Sequence, residues 1–319
     1  MGRDAALIRK TMSKVFIDGE AGTTGLGIRE RLAHVAGVSV VSIDPDKRKD
    51  PEARKAMMAS VDAVVLCLPD DAAKESTALA ASLGEKAPRL LDASTAHRVN
   101  PDWVYGFAEM TEGQADKIRK AKRVANPGCY PTGTIALLRP LVEAGILPAD
   151  YPVTINAVSG YSGGGKALIE QHESGKAPHF ELYGLGLEHK HVPEIEGYSK
   201  LTTRPMFVPS VGHYHQGMLV SVPLHLNTLP GKPRAADLAY ALRKHFDGSE
   251  LISVAGEGDA ALASGKVEPE ALNNTDKMVL RVFGNDTRGH AVLVAQLDNL
   301  GKGASGAAVQ NLKLMLGLK

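Results

Sequence analysis

Between Val15 and Ser94 the chain alternates short apolar runs with amphipathic stretches, and no other feature restricts its fold as strongly. Val15 to Ile17 read as a strand, glycines follow at 19, 22, 25 and 27, a helix is predicted from about Leu26 to Val35, and VSVVSI is the next strand. The pattern repeats through the strand AVVLCLP, the helix DAAKESTALAASL and the strand RLLDAS. Strands alternating with helices predict a parallel, doubly wound sheet of Rossmann type. Ligands bind such sheets beyond the carboxyl ends of the strands. That rule singles out Gly19, Gly22, Thr23, Thr24 and Gly25 after the first strand, Leu68 and Pro69 after the third, and Ser94 with Arg98 after the fourth. The glycines follow GxxGxxG rather than GxGxxG, so the order strand, loop, helix, strand carries the reading: a pyrophosphate on a helix N-terminus, hence a dinucleotide site.

The end of the second strand sends opposing signals about the dinucleotide. Asp44 stands where an acidic group binds a ribose hydroxyl of NAD, yet Lys47, Arg48 and Lys49 follow at once and suit a 2′-phosphate. Pro45 turns the chain, so Asp44 can point away and leave Lys47 and Arg48 to the phosphate.

A second constraint is ANPGCYPTGT, residues 125 to 134, which places one of only two cysteines at a predicted helix start. There, unpaired amides and the positive end of the helix dipole favour an anion, so Cys129 is a candidate nucleophile with a depressed pKa. Cys67, in mid-strand, reads as core packing. Beyond Cys129 come several β-branched strands with few helices, which predict a second α+β domain with a mainly antiparallel sheet. SGYSGGGK (Ser159, Gly160, Lys166) offers amides and a cation for an anionic group, and EHKHVPEIE holds His189, Lys190 and His191 before a helix opened by Pro193. Either histidine is a candidate acid/base, with His213 and His215 in GHYHQG as further candidates. Two histidines without a matching Cys or carboxylate set do not make a zinc site, and no metal is expected. Domains are expected at residues 1–128, 129–299 and, as a helix returning to the first domain, 300–319.

The 37 basic and 36 acidic residues are spread without a stripe, which argues against a nucleic-acid partner. No apolar run nears the ~20 residues of a membrane helix, and the N-terminus has no signal-peptide core. Two cysteines without a disulfide framework agree with a cytoplasmic protein.

ANPGCYPTGT, SGYSGGGK, HKHVPEIE, FVPSVGHYHQGM and DNLGKGASGAAVQN occur in the order found in the short-form N-acetyl-gamma-glutamyl-phosphate reductases, which the chain resembles from about Lys14 to Lys319. The resemblance implies NADPH-dependent reduction of N-acetyl-glutamyl 5-phosphate to the 5-semialdehyde, with phosphate released, in arginine biosynthesis. It implies Cys129 as nucleophile forming a thioester, His189 or His191 as acid/base, and Asn299 as a contact to the nicotinamide amide. Arg98, Lys166 and Lys190 are the cations available for an acyl-phosphate substrate, and a homodimer or homotetramer is expected. An aspartate-semialdehyde dehydrogenase-type reductase is the alternative, and a Cys/His acyltransferase or hydrolase, having no use for a dinucleotide, is the alternative of another class.

Overall fold

The computed structural model describes residues 12–318; the segment 1–11 and Lys319, which the expected domain bounds include, lie outside the described residues. The first sheet is built from β1 (Ser13–Asp18), β2 (Val38–Val41), β3 (Ala63–Leu66), β4 (Arg89–Asp92), β5 (Val104–Tyr105) and β6 (Arg123–Ala125). Between them run α1 (Thr23–Leu32), α2 (Pro51–Met58), α3 (Asp70–Ala81) and α4 (Gln114–Lys120). The strand order is β2-β1-β3-β4-β6-β5 and every pair is parallel. From β1 the chain goes to one side to make β2 and comes back to make β3 on the other, so a switch point lies at the carboxyl ends of β1 and β3.

Glycine is needed at that point for a measurable reason. Gly19 has φ +91°, and a Cβ there would collide with the carbonyl oxygen of Cys67 just beyond β3. A Cβ on Gly25 would stand 2.7 Å from the carbonyl oxygen of Gly19, whereas one on Gly22 would make only ordinary contact. Two of the three glycines thus let the loop fold back on itself. Helix α1 starts at Thr23, earlier than the apolar periodicity indicates, because the amide of Leu26 already bonds to the carbonyl of Gly22 at 2.9 Å and closes the first turn.

The second sheet follows α5 (Cys129–Glu143). Its strands are β7 (Thr154–Gly160), β8 (Phe180–Leu182), β9 (Met206–Gly212), β10 (Met218–His225), β11 (Ile252–Val254), β12 (Met278–Asn285) and β13 (His290–Leu297), with α6 (Gly165–Glu173), α7 (Val192–Tyr198), α8 (Ala235–His245) and α9 (Ala260–Ser264) in the connections. The order is β11-β12-β13-β10-β7-β9-β8. Four of its pairings are antiparallel, and two, β7 with β9 and β11 with β12, are parallel. The last helix, α10 (Gly306–Leu316), places Ala308, Val309, Leu312 and Met315 in one cluster with Val15 and Ile17 of β1 and Ile28 of α1.

Helix α5 is buried all round, with Ile135, Leu137, Leu138 and Leu141 essentially without exposure. Burying side chains of this size stabilises by roughly 1.5–3 kcal/mol each, so the cysteine helix is a fixed element rather than a surface one. Gly133 lets it approach the sheet closely, since a Cβ there would stand 3.0 Å from Val220 and 3.3 Å from Leu297. The helix begins at Cys129 itself and runs through Pro131, because the first-turn amides have no intrahelical partner for proline to remove. No helix of the described residues is long and apolar enough to cross a membrane.

Candidate active site

A cavity of about 500 Å³ opens where the two sheets meet at the start of α5. Its walls bring together Thr23 and Thr24 from the glycine loop, Arg98, Cys129, Ser159, Gly160, His189, Lys190, His191 and Asn299. A larger groove of about 1500 Å³ between α5, α8 and α10 contains none of the predicted site residues.

The loop before Cys129 is clamped from both sides. Asn126 donates to the carbonyl of Ala304 at 3.1 Å and accepts from Asn311 at 3.0 Å. Gly303, in the π-helical turn Gly301–Ser305, lies so close that a Cβ on it would stand 2.9 Å from the Cβ of Cys129. Such turns recur at functional sites because they redirect a chain without ending a helix.

Five backbone positions decide what the helix start can offer. The amide of Gly128 is taken by the Glu194 carboxylate at 3.2 Å, Pro131 has none, and that of Thr132 closes the first helical bond to Gly128. The amides of Cys129 and Tyr130 remain, and both are aimed at the thiol. The sequence reading expects a depressed cysteine pKa, and the structure differs. Burial pushes the Cys129 thiol above its ordinary value, against the downward pull of the Tyr130 amide and the Arg98 guanidinium, while Glu194 adds to the rise. Desolvation outweighs the helix end because the packed protein around the sulfur disfavours its charged form.

The two histidines are not equivalent. The backbone amide of His191 donates to Nδ1 of His189 at 3.1 Å, which blocks that nitrogen and fixes its ring. His191 is buried, its Nε2 lies 2.7 Å from the point a Cβ on Gly128 would occupy, and its Nδ1 has no hydrogen-bond partner among the described residues. Burial, then the Arg98 charge, holds the His191 pKa well below the usual histidine range; burial, then Lys190, brings His189 down to about 4. Both rings are neutral at pH 7.

These features put a thiol, a neutral imidazole and a dinucleotide-type glycine loop on one cavity. Family models described as the semialdehyde dehydrogenase NAD binding domain and the semialdehyde dehydrogenase dimerisation domain match residues 17–120 and 129–299. Proteins named N-acetyl-gamma-glutamyl-phosphate reductase from Brucella suis and Brucella ovis are 52% identical to the chain over 309 residues, covering 95% of it and 99% of each relative. The chain belongs to the N-acetyl-gamma-glutamyl-phosphate reductase family. It is an oxidoreductase. Solved structures share the fold: aspartate semialdehyde dehydrogenase II from Vibrio cholerae has TM-score 0.68 at 16% identity, with 96% of this chain and 99% of that one covered. The aspartate semialdehyde dehydrogenase from Francisella tularensis has TM-score 0.73 at 12% identity, with 96% and 100% covered.

Set against this family, several predicted residues stand differently from the sequence reading. Lys166, at the start of α6, is exposed and outside the cavity walls, although Gly163 to Gly165 beside it line them. Arg98 reaches the cavity, but its charge is met by Glu194 at 2.7 Å, so it is not a free cation for substrate. Ser94 is buried and bonds Asp92, and Leu68 and Pro69 also lie outside the walls. Asn299 lines the cavity with its amide engaged: the oxygen accepts from the Gly217 amide at 2.7 Å and the nitrogen donates to Ser162 at 3.0 Å.

At the end of β2, Asp44 turns its carboxylate to the amide of Asp46, capping the short turn Pro45–Lys47. Of the residues that converge there, the sequence reading names Arg48 but not Arg29, Ser42 or Glu20. Arg29 donates to Glu20 at 2.8 Å and to Ser42 at 2.7 Å, Ser42 donates to Glu20 at 2.9 Å, and Arg48 lies 3.6 Å from Glu20. Lys47 and Lys49 are exposed beyond them. No sequence signal marked Arg29, since an arginine on an exposed helical face is ordinary. Glu194 was equally hidden, as one of two acidic residues in PEIE.

Proposed function

We propose that the chain reduces N-acetyl-L-glutamyl 5-phosphate to the 5-semialdehyde with NADPH through a thioester on Cys129, the step that name denotes in arginine biosynthesis. The observation that carries the reading is the convergence of a half-buried thiol, a neutral imidazole and the Thr23–Thr24 helix start on one cavity of about 500 Å³. A Cys/His hydrolase would need no dinucleotide loop. The loop fits a dinucleotide, because Gly19 and Gly25 let it fold back tightly at the end of β1 and the N-terminus of α1, at Thr23 and Thr24, lines the cavity. Arg29, Ser42 and Arg48 are the donors grouped at the end of β2; they face the Glu20 carboxylate, whose place a 2′-phosphate would take. This favours NADP over NAD.

In the mechanism, His191 takes the proton of Cys129, for which its neutral ring and buried position suit it. The sulfur attacks the acyl carbonyl, the C–O bond to phosphate breaks, and phosphate leaves with the bonding pair. The amides of Cys129 and Tyr130 stabilise the oxyanion that develops. Lys190 and the amides of the 159–165 loop hold the anionic ends of the substrate. The resulting thioester is shielded from water by the cavity walls. What a bound NADPH supplies there is hydride. When the tetrahedral adduct collapses to aldehyde, the C–S bond breaks and His191 returns the proton to sulfur.

A homodimer or larger homo-oligomer completes the reading. The domain matched over 129–299 is described as a dimerisation domain, and Phe180, Leu182 and Met206 stand exposed on the free edge of the second sheet. Both cysteines are free, as a cytoplasmic thiol enzyme requires. The test is intact-protein mass spectrometry after mixing with N-acetylglutamyl phosphate in the absence of NADPH. An N-acetylglutamyl adduct mapped to Cys129 supports the reading; an unmodified Cys129 alongside turnover on adding NADPH excludes it.

A further inference from the structure

Glu194 lies in the first turn of α7 with 1% exposure, and both carboxylate oxygens are occupied. Oε1 accepts from Arg98 Nη1 at 2.7 Å; Oε2 accepts from the hydroxyl of Tyr105 at 2.8 Å and from the amide of Gly128 at 3.2 Å. These donors come from three separate stretches of chain. A Cβ on Gly128 would stand 2.6 Å from Arg98 Nη1, 2.7 Å from His191 Nε2 and 2.8 Å from Glu194 Oε1. Guanidinium, imidazole and carboxylate therefore converge on the residue before the nucleophile.

The partners are fixed in turn. Arg98 Nη2 donates to the Ala93 carbonyl at 3.3 Å, the Arg98 carbonyl accepts from the hydroxyl of Tyr198 at 2.7 Å, and Tyr198 stacks on Tyr105 with centroids 3.7 Å apart. Buried ion pairs of this kind contribute little net stability compared with apolar packing, but losing one partner leaves the other charge uncompensated. Here that second charge would lie beside a reactive thiol.

We propose that Glu194 is a positioning residue for the reaction. By pairing with Arg98 and holding the Gly128 amide, it offsets the pull of the guanidinium on the thiol, adding to what burial does, and holds the peptide that sets the sulfur between His191 and the two remaining helix-start amides. The proposal rests on Cys129 as the nucleophile. Around the thiol, Arg98 from the first domain favours the thiolate, and Lys190 from the loop before α7 lines the same cavity. Glu194 opposes Arg98, and His189, His191, Tyr130 and Tyr183 are neutral at pH 7. A reactive thiol guarded in this way is spared from oxidation and stray alkylation between turnovers.

The test is the pH profile of Cys129 alkylation by iodoacetamide, read beside kcat, in a Cys67→Ser background. Glu194→Gln keeps the shape and removes the charge. It should move the alkylation midpoint to lower pH and make alkylation at pH 7 at least about tenfold faster, while kcat falls at least about tenfold. Glu194→Asp keeps the charge but not the reach, so its alkylation profile should stay near the parent's while kcat falls. A merely structural role would not speed alkylation and slow turnover together. Alkylation of Glu194→Gln at the parent rate, or slower, overturns the proposal. If that variant does not fold, Arg98→Met decides: its midpoint should rise, and an unchanged midpoint overturns the proposal. Failure of the nucleophile reading would show separately, as turnover retained in Cys129→Ser.

Discussion

The backbone amide of His191 donates to Nδ1 of His189 across 3.1 Å, so the residue nearer the cysteine loop uses its neighbour as a rest. The contact assigns different work to two histidines that the HKH spacing leaves equivalent. His191→Ala should lower kcat by ~10² to 10⁴, the usual range for a proton-transfer group, and His189→Ala should cost less. Steady-state kinetics of both variants check this; a larger loss in His189→Ala would reverse the assignment.

Cys129→Ser should fold and bind NADPH, yet lose at least ~10³ in turnover, because a serine hydroxyl in this place has no comparable nucleophilicity. Cys67→Ser should behave in the opposite way. The Cys67 thiol is pushed up to about 12, by burial first and then by Asp92 and Asp18, and it is an inert packing group. Its replacement should lower stability by about 1–3 kcal/mol with turnover per folded molecule intact. Urea denaturation and active-site titration separate the two outcomes.

How much of this was legible beforehand depends on the distance over which a residue acts. The alternation through β4 and the position of Cys129 are local patterns, and the structure reproduces them with boundaries moved by a few residues. The Arg98 and Glu194 pair spans 96 positions and leaves no periodic mark. Lys166 lies beside a glycine loop that does line the cavity, but its place in the first turn of α6 leaves its side chain exposed. The direction of the Cys129 pKa was missed for a related reason: helix ends can be read from sequence, while burial depends on what the rest of the chain puts over the thiol.

Cofactor choice should follow the cluster on Glu20. Charge-assisted contacts contribute about 1.5–3 kcal/mol each, so Arg29→Ala should raise the KM for NADPH by at least tenfold and leave that for NADH nearly unchanged. Arg48→Ala should act in the same direction but less strongly, being 3.6 Å from the carboxylate. Equal effects on the two cofactors would remove the 2′-phosphate assignment.

Acid should destabilise the fold through the same histidines that serve the site. Their folded pKa values are depressed, His189 to about 4 and His191 well below its usual value. Below roughly pH 6.5 the unfolded chain takes up protons that the folded one does not, so stability falls as pH drops from there toward 4. Urea midpoints at several pH values should show this decline, and it should be shallower in His191→Gln. An identical slope in that variant would contradict the account.

The central claim is that this cavity reduces an acyl phosphate, and the reverse direction tests it most directly. With N-acetylglutamate 5-semialdehyde, NADP and inorganic phosphate, the protein should form NADPH at a rate that saturates with phosphate and vanishes in Cys129→Ser. Aspartate semialdehyde should be a poor substitute. NADPH formation that does not depend on phosphate, or that persists without Cys129, would contradict the account.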